Sequence, residues 1–371
     1  MSNHSPRLED MDSGIYFDQP EQQPKRKGRR LGWVLIAVVA AAVLLGSYLK
    51  TPYVIERPGP VFNVLGNEGK TPIIQVQDAK SYPTDGALDL LTVNVLGSPG
   101  QTPSWLELIG AWLDPSQVIT PIDEIFPPNT NTTDVSKQNQ LMMSDSQSQA
   151  TAAALRSLGY RYSYIVYVDT VDSRSASAGV LQSGDIIASA NGKKVTGIGS
   201  LRAAVNAAGG APVSVTGTRA GKAFSYSIKP RMIQGAWRIG VYVGTKFKFP
   251  ISVKLSLNDV GGPSGGMMFA LGIYDKLTPG ALTGGQIIAG TGTIDEQGAV
   301  GPIGGIRQKL YGAQRGGAKW FLAPTQNCNE VVGHIPAGLK VVRVANFSQA
   351  LAAVKQIAST KSVQGLPSCG K

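Results

Sequence analysis

The chain has 371 residues, enough for two or three domains, and 42% of them are hydrophobic, which allows a substantial core. Its 45 glycines favour many tight turns and strand connections over a helical bundle. The net charge is +11, but there is no motif of interleaved basic and aromatic residues, so nucleic acid is not a predicted partner. Because the sequence also has no metal-ligand spacing and no phosphate-binding loop, we predict no metal and no other cofactor.

The N-terminal part predicts a polar tail followed by a membrane anchor. Residues 1–30 are mixed in charge and end in a basic cluster, so we predict a disordered basic cytoplasmic tail. Residues 31–49 carry no charge and are about long enough to cross a bilayer as one transmembrane helix. The basic cluster keeps the N-terminus in the cytoplasm, so everything after Lys50 is expected outside the cell membrane. A cleaved signal peptide and a buried core helix are the alternatives.

Residues 50–160 predict a connector and the first part of a catalytic domain. Residues 51–65 are rich in Pro and aliphatic residues, as expected of an extended connector. A strand follows over residues 86–95. Residues 105–112 predict a short apolar helix, and residues 141–158 predict a helix with one packed face.

Residues 161–232 predict a small inserted β-domain. The pattern gives a strand, the hairpin turn Asn191-Gly192, a short helix and a closing hairpin. Gly184-Asp185-Ile186-Ile187 together with Asn191-Gly192 resembles PDZ domains of bacterial proteases. That resemblance implies binding of extended peptide ends by strand addition. A β-domain that serves only as a spacer is the alternative.

The last part of the chain, residues 233–371, predicts the catalytic core. Strands are expected over residues 237–243, 251–257, 320–324 and 339–344, and a closing helix over residues 348–357. Cys328 and Cys369 both fall on the predicted outer side, where they form a disulfide or remain as two free thiols.

Ser264 is the candidate nucleophile. It lies in the glycine-rich segment Gly261-Gly262-Pro263-Ser264-Gly265-Gly266, directly before an apolar run that predicts a helix. A serine at such a turn stands clear of neighbouring side chains. The start of the helix also directs unpaired N–H groups toward the group that the serine attacks.

Lys309 is the best placed base for this serine. The only histidines are His4, in the polar tail, and His334, so a Ser-His-Asp site would depend on His334 alone. A lysine that is half neutral at pH 7 needs its pKa lowered by about 3.4 units, or about 4.6 kcal/mol. Burial can supply that shift. Three apolar residues are suitable walls for the pocket: Ile303, Ile306 and Leu310.

Three glycine-rich segments together resemble the Lon-type proteolytic domain. They are Gly262-Pro263-Ser264-Gly265-Gly266, Gly290-Thr291-Gly292-Thr293-Ile294, and Gly301-Pro302-Ile303-Gly304-Gly305-Ile306 with Lys309. That family uses a Ser-Lys dyad, so the resemblance implies Ser264 as nucleophile, Lys309 as base and Thr291 as the residue that orients the lysine. Family members usually carry an acidic residue three positions before the serine, where this chain has Gly261. The resemblance therefore implies the dyad but no acidic residue that assists it from this position.

The fold class expected from these features is α+β, a Lon-type proteolytic domain with an inserted PDZ-like β-domain, preceded by one transmembrane helix. The expected function is an ATP-independent serine endopeptidase, anchored in the cell membrane, that cleaves extracytoplasmic or membrane-tethered proteins. Its expected partners are protein or peptide substrates and the bilayer. Because Lon-type domains often form rings, a homo-oligomer is a further partner.

Alternatives to this function remain open. One is a catalytically inactive, membrane-tethered PDZ adaptor, and another is an enzyme that cleaves its own connector. Asp259 and Asp295 are candidate site carboxylates, for which turn or surface roles are favoured.

Overall fold

The computed structural model describes residues 27–127, 132–233, 235–257 and 260–370. They divide into two compact units, one up to residue 49 and one from residue 50 onward. The first unit contains helix α1 (Lys27–Tyr48). Its apolar side chains are largely exposed: Leu31, Trp33, Val34, Leu35, Ile36, Val38, Val39 and Leu44.

Within the described ranges, no helix meets both the length and the apolar character needed to cross a bilayer. The anchor predicted over residues 31–49 is thus unconfirmed and stays a prediction. Of the polar tail predicted for residues 1–30, residues 1–26 lie outside the described residues.

The second unit combines helices and strands throughout its length. Its helices are α2 (Trp105–Leu113), α3 (Ile122–Ile125), α4 (Thr132–Ser157), α5 (Ile198–Ala207), α6 (Gly266–Leu277), α7 (Ile306–Arg315), α8 (Cys328–Val331) and α9 (Phe347–Thr360). Its strands are β1 (Tyr53–Asn63), β2 (Asn67–Glu68), β3 (Thr71–Pro72), β4 (Ile74–Gln77), β5 (Ala87–Leu96), β6 (Val118–Pro121), β7 (Ser163–Val171), β8 (Ile186–Ala190), β9 (Lys193–Lys194), β10 (Val213–Arg219), β11 (Lys222–Ile228), β12 (Arg231–Ile233), β13 (Ala236–Arg238), β14 (Val241–Lys248), β15 (Ser252–Leu255), β16 (Ile287–Gly290), β17 (Thr293–Ile294), β18 (Val300–Gly301), β19 (Trp320–Pro324) and β20 (Lys340–Val344).

Six strands form the central sheet, in the order β20, β19, β16, β5, β1, β6. Neighbouring strands from β20 to β5 are parallel, whereas β1 is antiparallel to both β5 and β6. Helices α4, α6 and α9 pack on one face of this sheet, and α7 packs on the other. Strand β5 contributes to the core on both faces of the sheet. Leu88 and Leu90 pack in the core with α4, α6 and α9, and Leu91 packs in the core with α7. This arrangement confirms the α+β fold class.

Two elements differ from the sequence-based expectation. Within the extended connector predicted over residues 51–65, residues 53–63 form strand β1 of the central sheet, paired with β5 and β6. Its prolines, which misled the prediction, coincide with a shift of register between Pro58 and Val61, because proline cannot donate to a ladder. Helix α4 begins at Thr132 rather than near residue 141. Most side chains in its first turns are exposed, so they show no apolar period.

A second sheet is formed by strands that lie in sequence between β6 and β16, in the order β11, β10, β8, β7, β14, with β9 paired to β8. Helix α5 packs on it through Leu201 and Val205. The hairpin of β8 and β9 turns at Asn191-Gly192, as predicted. Because β14 pairs with β7, this sheet runs to Lys248, beyond the predicted end of the insert at residue 232.

A disulfide joins Cys328 to Cys369, with their Cα atoms 4.9 Å apart. The structure thus holds the bonded form of the pair rather than two free thiols. Cys369 is buried in the core beneath α7, so the bond fastens the C-terminal tail to this side of the central sheet.

Glu296 is a buried carboxylate that follows β17 and lies against the loop before α5. It is 2% exposed, and neither carboxylate oxygen has a hydrogen-bond partner among the described residues. It lies against Gly197, the residue that precedes α5, so closely that a Cβ at that position would overlap the carboxylate. Burial raises the pKa of Glu296, because the charged form loses its water.

Replacing Glu296 with Gln is therefore expected to stabilise the protein at pH 8 and to leave its stability nearly unchanged at pH 4. Above its ordinary pKa of about 4.5 the unfolded carboxyl ionises while the folded one resists, so the wild type loses stability as the pH rises. Thermal unfolding at both pH values measures the difference, with the exposed Glu124→Gln as control. An effect of equal size at both pH values would contradict this assignment.

Candidate active site

Ser264 lies in the loop that leads into α6, and hydrogen bonds to the main chain of Pro263 and Ser264 hold this loop. The Ser146 hydroxyl of α4 donates to the carbonyl oxygen of Pro263 over 2.9 Å. The carbonyl oxygen of Ser264 itself accepts from the Gly292 N–H at 2.8 Å and from the Thr291 hydroxyl at 3.1 Å. The candidate nucleophile is therefore held in place by hydrogen bonds to its main chain. No hydrogen bond to the described residues engages its hydroxyl.

The glycines after Ser264 allow close packing at the start of α6. A Cβ on Gly265 would overlap Leu90 of β5, and one on Gly266 would lie 2.8 Å from the Ser146 hydroxyl. Within the described part of the chain, the N–H groups of Ser264 and Gly265 have no hydrogen-bond partner. Together with the N-terminus of α6, they can donate to a negatively charged oxygen next to the serine.

Lys309 lies in the first half of α7 and is almost completely buried, with 3% of its surface exposed. Its Nζ donates to the Thr291 hydroxyl at 3.2 Å. Ile306 and Leu310, on the same side of the helix, have no exposed surface. Because this burial removes water from the ammonium, the pKa of Lys309 falls to about 7.

The structure brings two of the three candidate residues to one cleft of about 710 Å³, and the third contacts both of them. Ser264 and Lys309 both line the cleft. Thr291 connects them, because it accepts from the lysine and donates to the serine carbonyl. One N–H of the amine is thereby held on the side of Thr291, which leaves the lone pair of a neutral amine available to the cleft.

One wall of this cleft is an unpaired strand edge. Strand β16 pairs with β5 only from Ala87 to Leu90, and among the described strands none continues on that side. The following β5 residues, Thr92 to Val95, line the cleft. An extended chain could therefore hydrogen-bond to β5 and pass next to Ser264.

The other sequence candidates lie elsewhere. His334 lines a separate cavity of about 460 Å³ and contacts Arg307. Burial, and next the charge of Arg307, lower the pKa of His334. Asp295 accepts backbone hydrogen bonds from Gln297 and Ala299, which is a turn role. His4 and Asp259 lie outside the described residues.

Sequence reasoning did not identify the contribution of α4. Besides Ser146, this helix contributes the carbonyl oxygen of Asn139, which accepts from the Gly262 N–H at 2.8 Å. A Cβ on Gly261 would lie 2.6 Å from the Cβ of Asn139. The helix therefore fills the space that an acidic side chain at position 261 would need. The polar sequence of this part of α4 gives no signal of that role.

Restoring the family's acidic residue with Gly261→Asp is expected to destabilise the protein by about 1 to 3 kcal/mol, because the new side chain overpacks against α4. The nucleophile loop would shift, so kcat/KM should also fall. Urea unfolding and a peptidase assay measure the two effects. Adding Asn139→Gly removes the clashing Cβ and should recover part of the activity. A fully active, fully stable Gly261→Asp variant would show that the space is not occupied.

Comparison with known proteins confirms the resemblance in this region. Residues 257–358 match the Lon protease (S16) C-terminal proteolytic domain. The Lon protease of Buchnera aphidicola is 38% identical over 93 residues, 24% of this chain and 12% of that protein. Lon protease 2 of Bacillus subtilis is 32% identical over 92 residues, 25% of this chain and 16% of that protein. The chain thus spans less than a fifth of the length of these curated relatives.

Solved PDZ domains are similar to a smaller part of the chain. The PDZ domain of the SdrC-like protein from Listeria monocytogenes is 25% identical and covers 21% of this chain and 85% of its own, with a TM-score of 0.20. Its counterpart from Listeria innocua is 24% identical and covers 21% and 92%, also with a TM-score of 0.20. The match over residues 257–358 includes Ser264, Thr291 and Lys309, so the part of the chain that contains all three candidate residues is similar to the Lon (S16) proteolytic domain.

Proposed function

We propose that the chain is an ATP-independent serine endopeptidase in which Ser264 and Lys309 form a catalytic dyad. The buried amine of Lys309 carries this proposal, because a pKa of about 7 leaves roughly half of it neutral near pH 7. Its position in the same cleft as Ser264, with Thr291 holding one N–H, is the arrangement that a general base requires.

The mechanism is acyl transfer. Neutral Lys309 takes the proton from the Ser264 hydroxyl as its Oγ attacks the carbonyl carbon of the peptide. The N–H groups of Ser264 and Gly265 stabilise the oxyanion. The protonated lysine then returns the proton to the departing amine, and an ester on Ser264 remains. A water molecule then gives a proton to Lys309 and attacks this ester. Lys309 returns that proton to the departing Ser264 Oγ, which releases the acid product and restores the Ser264 hydroxyl.

Substrates would bind as extended chains along the unpaired edge of β5. Backbone hydrogen bonds to Thr92–Val95 give affinity without requiring a particular sequence. The chain contains no phosphate-binding loop that could power unfolding, so suitable substrates are loosely folded, short or membrane-tethered segments.

The inserted sheet would act as a PDZ module that selects or positions these substrates. Its mixed architecture of strands and α5 is compatible with strand addition at an edge. Membrane attachment through residues 31–49, with the catalytic part outside the cytoplasm, is supported by the uncharged run and the exposed apolar side chains of α1. A homo-oligomer is part of the same proposal.

Incubating the full-length chain with unfolded casein, without nucleotide, tests the proposal. We expect cleavage, inhibition by a peptidyl boronate, and a boronate adduct on Ser264 in the mass spectrum. Binding of casein without any cleavage or adduct would instead support an inactive adaptor.

The pH dependence gives a further expected result. Because only the neutral amine accepts the proton, kcat/KM should rise with pH and level off above an apparent pKa of about 7. Initial rates on a soluble peptide from pH 5 to pH 9 measure this. A flat profile over that range would contradict general-base catalysis by Lys309.

A further inference from the structure

Helix α2 exposes a continuous apolar face. The side chains on this face are exposed by 44 to 78%: Trp105, Leu106, Ile109, Trp112 and Leu113. Their spacing places them together along the outer side of the helix. The opposite side packs on the central sheet, where Leu108 and Ala111 are buried against Ile55. The helix is therefore apolar on both sides, although one side faces outward.

The start of α2 is fixed to the residues that follow the uncharged run. Lys50 forms a β-bridge with Ser104, the residue that caps α2. The Thr51 N–H and hydroxyl both donate to the carbonyl oxygen of Pro103, at 3.2 and 2.9 Å. Lys50 directly follows residues 31–49 in sequence. The residue that directly follows the uncharged run is therefore held at the start of α2.

The chemistry of the exposed face matches the boundary of a bilayer. Tryptophan concentrates at the level of the lipid headgroups, where its ring is partly in hydrocarbon and its N–H meets water. The helix has one charged residue, Glu107, and its carboxylate is bound by the backbone and hydroxyl of Ser104. The Lys50 ammonium beside the start of the helix donates to the carbonyl oxygen of Gly100 and can also face anionic headgroups.

We propose that α2 is an interfacial helix that lies on the bilayer entered by residues 31–49. Trp105 and Trp112 would sit at the headgroup level and hold the catalytic part at a fixed height and orientation. This inference rests on the membrane attachment proposed above and is independent of the peptidase activity. The β-bridge between Lys50 and Ser104 favours a bilayer over a second copy of the chain as the partner of this face, because Lys50 directly follows the proposed membrane segment.

Tryptophan quenching by brominated lipids tests the proposal. The full-length Trp33→Phe variant, which removes the tryptophan of the uncharged run, is placed in phosphatidylcholine nanodiscs with and without brominated acyl chains. We expect its fluorescence to be quenched by the brominated lipid. Adding Trp105→Phe and Trp112→Phe should abolish most of this quenching, whereas adding Trp237→Phe, in the inserted part, should leave the quenching unchanged.

The outcomes separate the two proposals. If the chain enters nanodiscs but Trp105 and Trp112 are not quenched, the interfacial helix is wrong and the membrane attachment stands. If the chain does not enter nanodiscs at all, the interfacial helix and the membrane attachment are both wrong. The peptidase proposal still stands in that case, because casein cleavage tests it separately. If the helix binds a second copy instead, the Trp105→Phe/Trp112→Phe variant lowers the molar mass measured by light scattering. Thermal unfolding followed by circular dichroism confirms the fold of each variant.

Discussion

Replacing Lys309 with methionine is expected to slow hydrolysis strongly and, at the same time, to stabilise the protein by roughly 4 to 5 kcal/mol near pH 7. An unfolded lysine has a pKa of about 10.5, whereas burial lowers that of Lys309 to about 7. At 1.36 kcal/mol per unit, this difference is the free energy that folding loses by keeping the amine dry. Methionine has a similar volume and no charge, and the Thr291 hydroxyl keeps its bond to the Ser264 carbonyl.

The sign of this effect fixes its pH dependence. Above about pH 10.5 the lysine is neutral in both the folded and the unfolded state, so its burial no longer lowers the stability. As the pH falls toward 7, the unfolded lysine gains a proton that the folded one resists, so the wild type loses stability. Urea unfolding at pH 7 and pH 10 should therefore show a large gain for Lys309→Met that shrinks at the higher pH. The exposed Lys137→Met, on α4, is the matched control.

The loss of activity in Lys309→Met should be about 10²- to 10⁴-fold, the range expected for a general base. A variant that loses activity but gains no stability would mean that the lysine is charged and solvated in solution. A variant that is more stable but fully active would leave the amine buried and exclude it as the base. The combined measurement therefore separates the location of Lys309 from its role.

The sequence predicted those parts of the fold in which local pattern and packing agree. The strand over residues 86–95 and the helix that follows Ser264 were predicted because their apolar residues contact the core directly. Strand β1 was misread because two prolines hide its pairing with β5. The first turns of α4 were missed because they lack a buried face. A pattern-based prediction detects burial, and these segments show too little of it.

For the site, the glycine framework was the informative signal. It marked Ser264 and Lys309, because close backbone approach leaves few residue choices at such turns. The role of Ser146 and the burial of Glu296 depend on which distant elements meet. Ser146 reaches Pro263 across 117 residues of sequence, and Glu296 is covered by the loop before α5. Neither contact has a local pattern, so both became visible only in the structure.

Replacing Ser264 with alanine should reduce casein cleavage by at least about 10³-fold, because no acyl intermediate can form. Stability should change by less than about 0.5 kcal/mol, since the hydroxyl has no hydrogen bond to lose among the described residues. The loop keeps its shape, because the contacts that hold it involve the backbone of Ser264. Ser256→Ala, on the same connection before α6, is the control.

The double variant Ser264→Ala/Lys309→Met gives the sharpest version of this test. Residues that act as one catalytic unit are not additive, so the double variant should be no slower than the slower single variant. Its stability should still rise by the full amount expected for Lys309→Met. If the rate losses of the two substitutions instead multiply, Ser264 and Lys309 act in separate steps. If Ser264→Ala cleaves casein as fast as the wild type, the chain has another nucleophile or is not a peptidase of this kind.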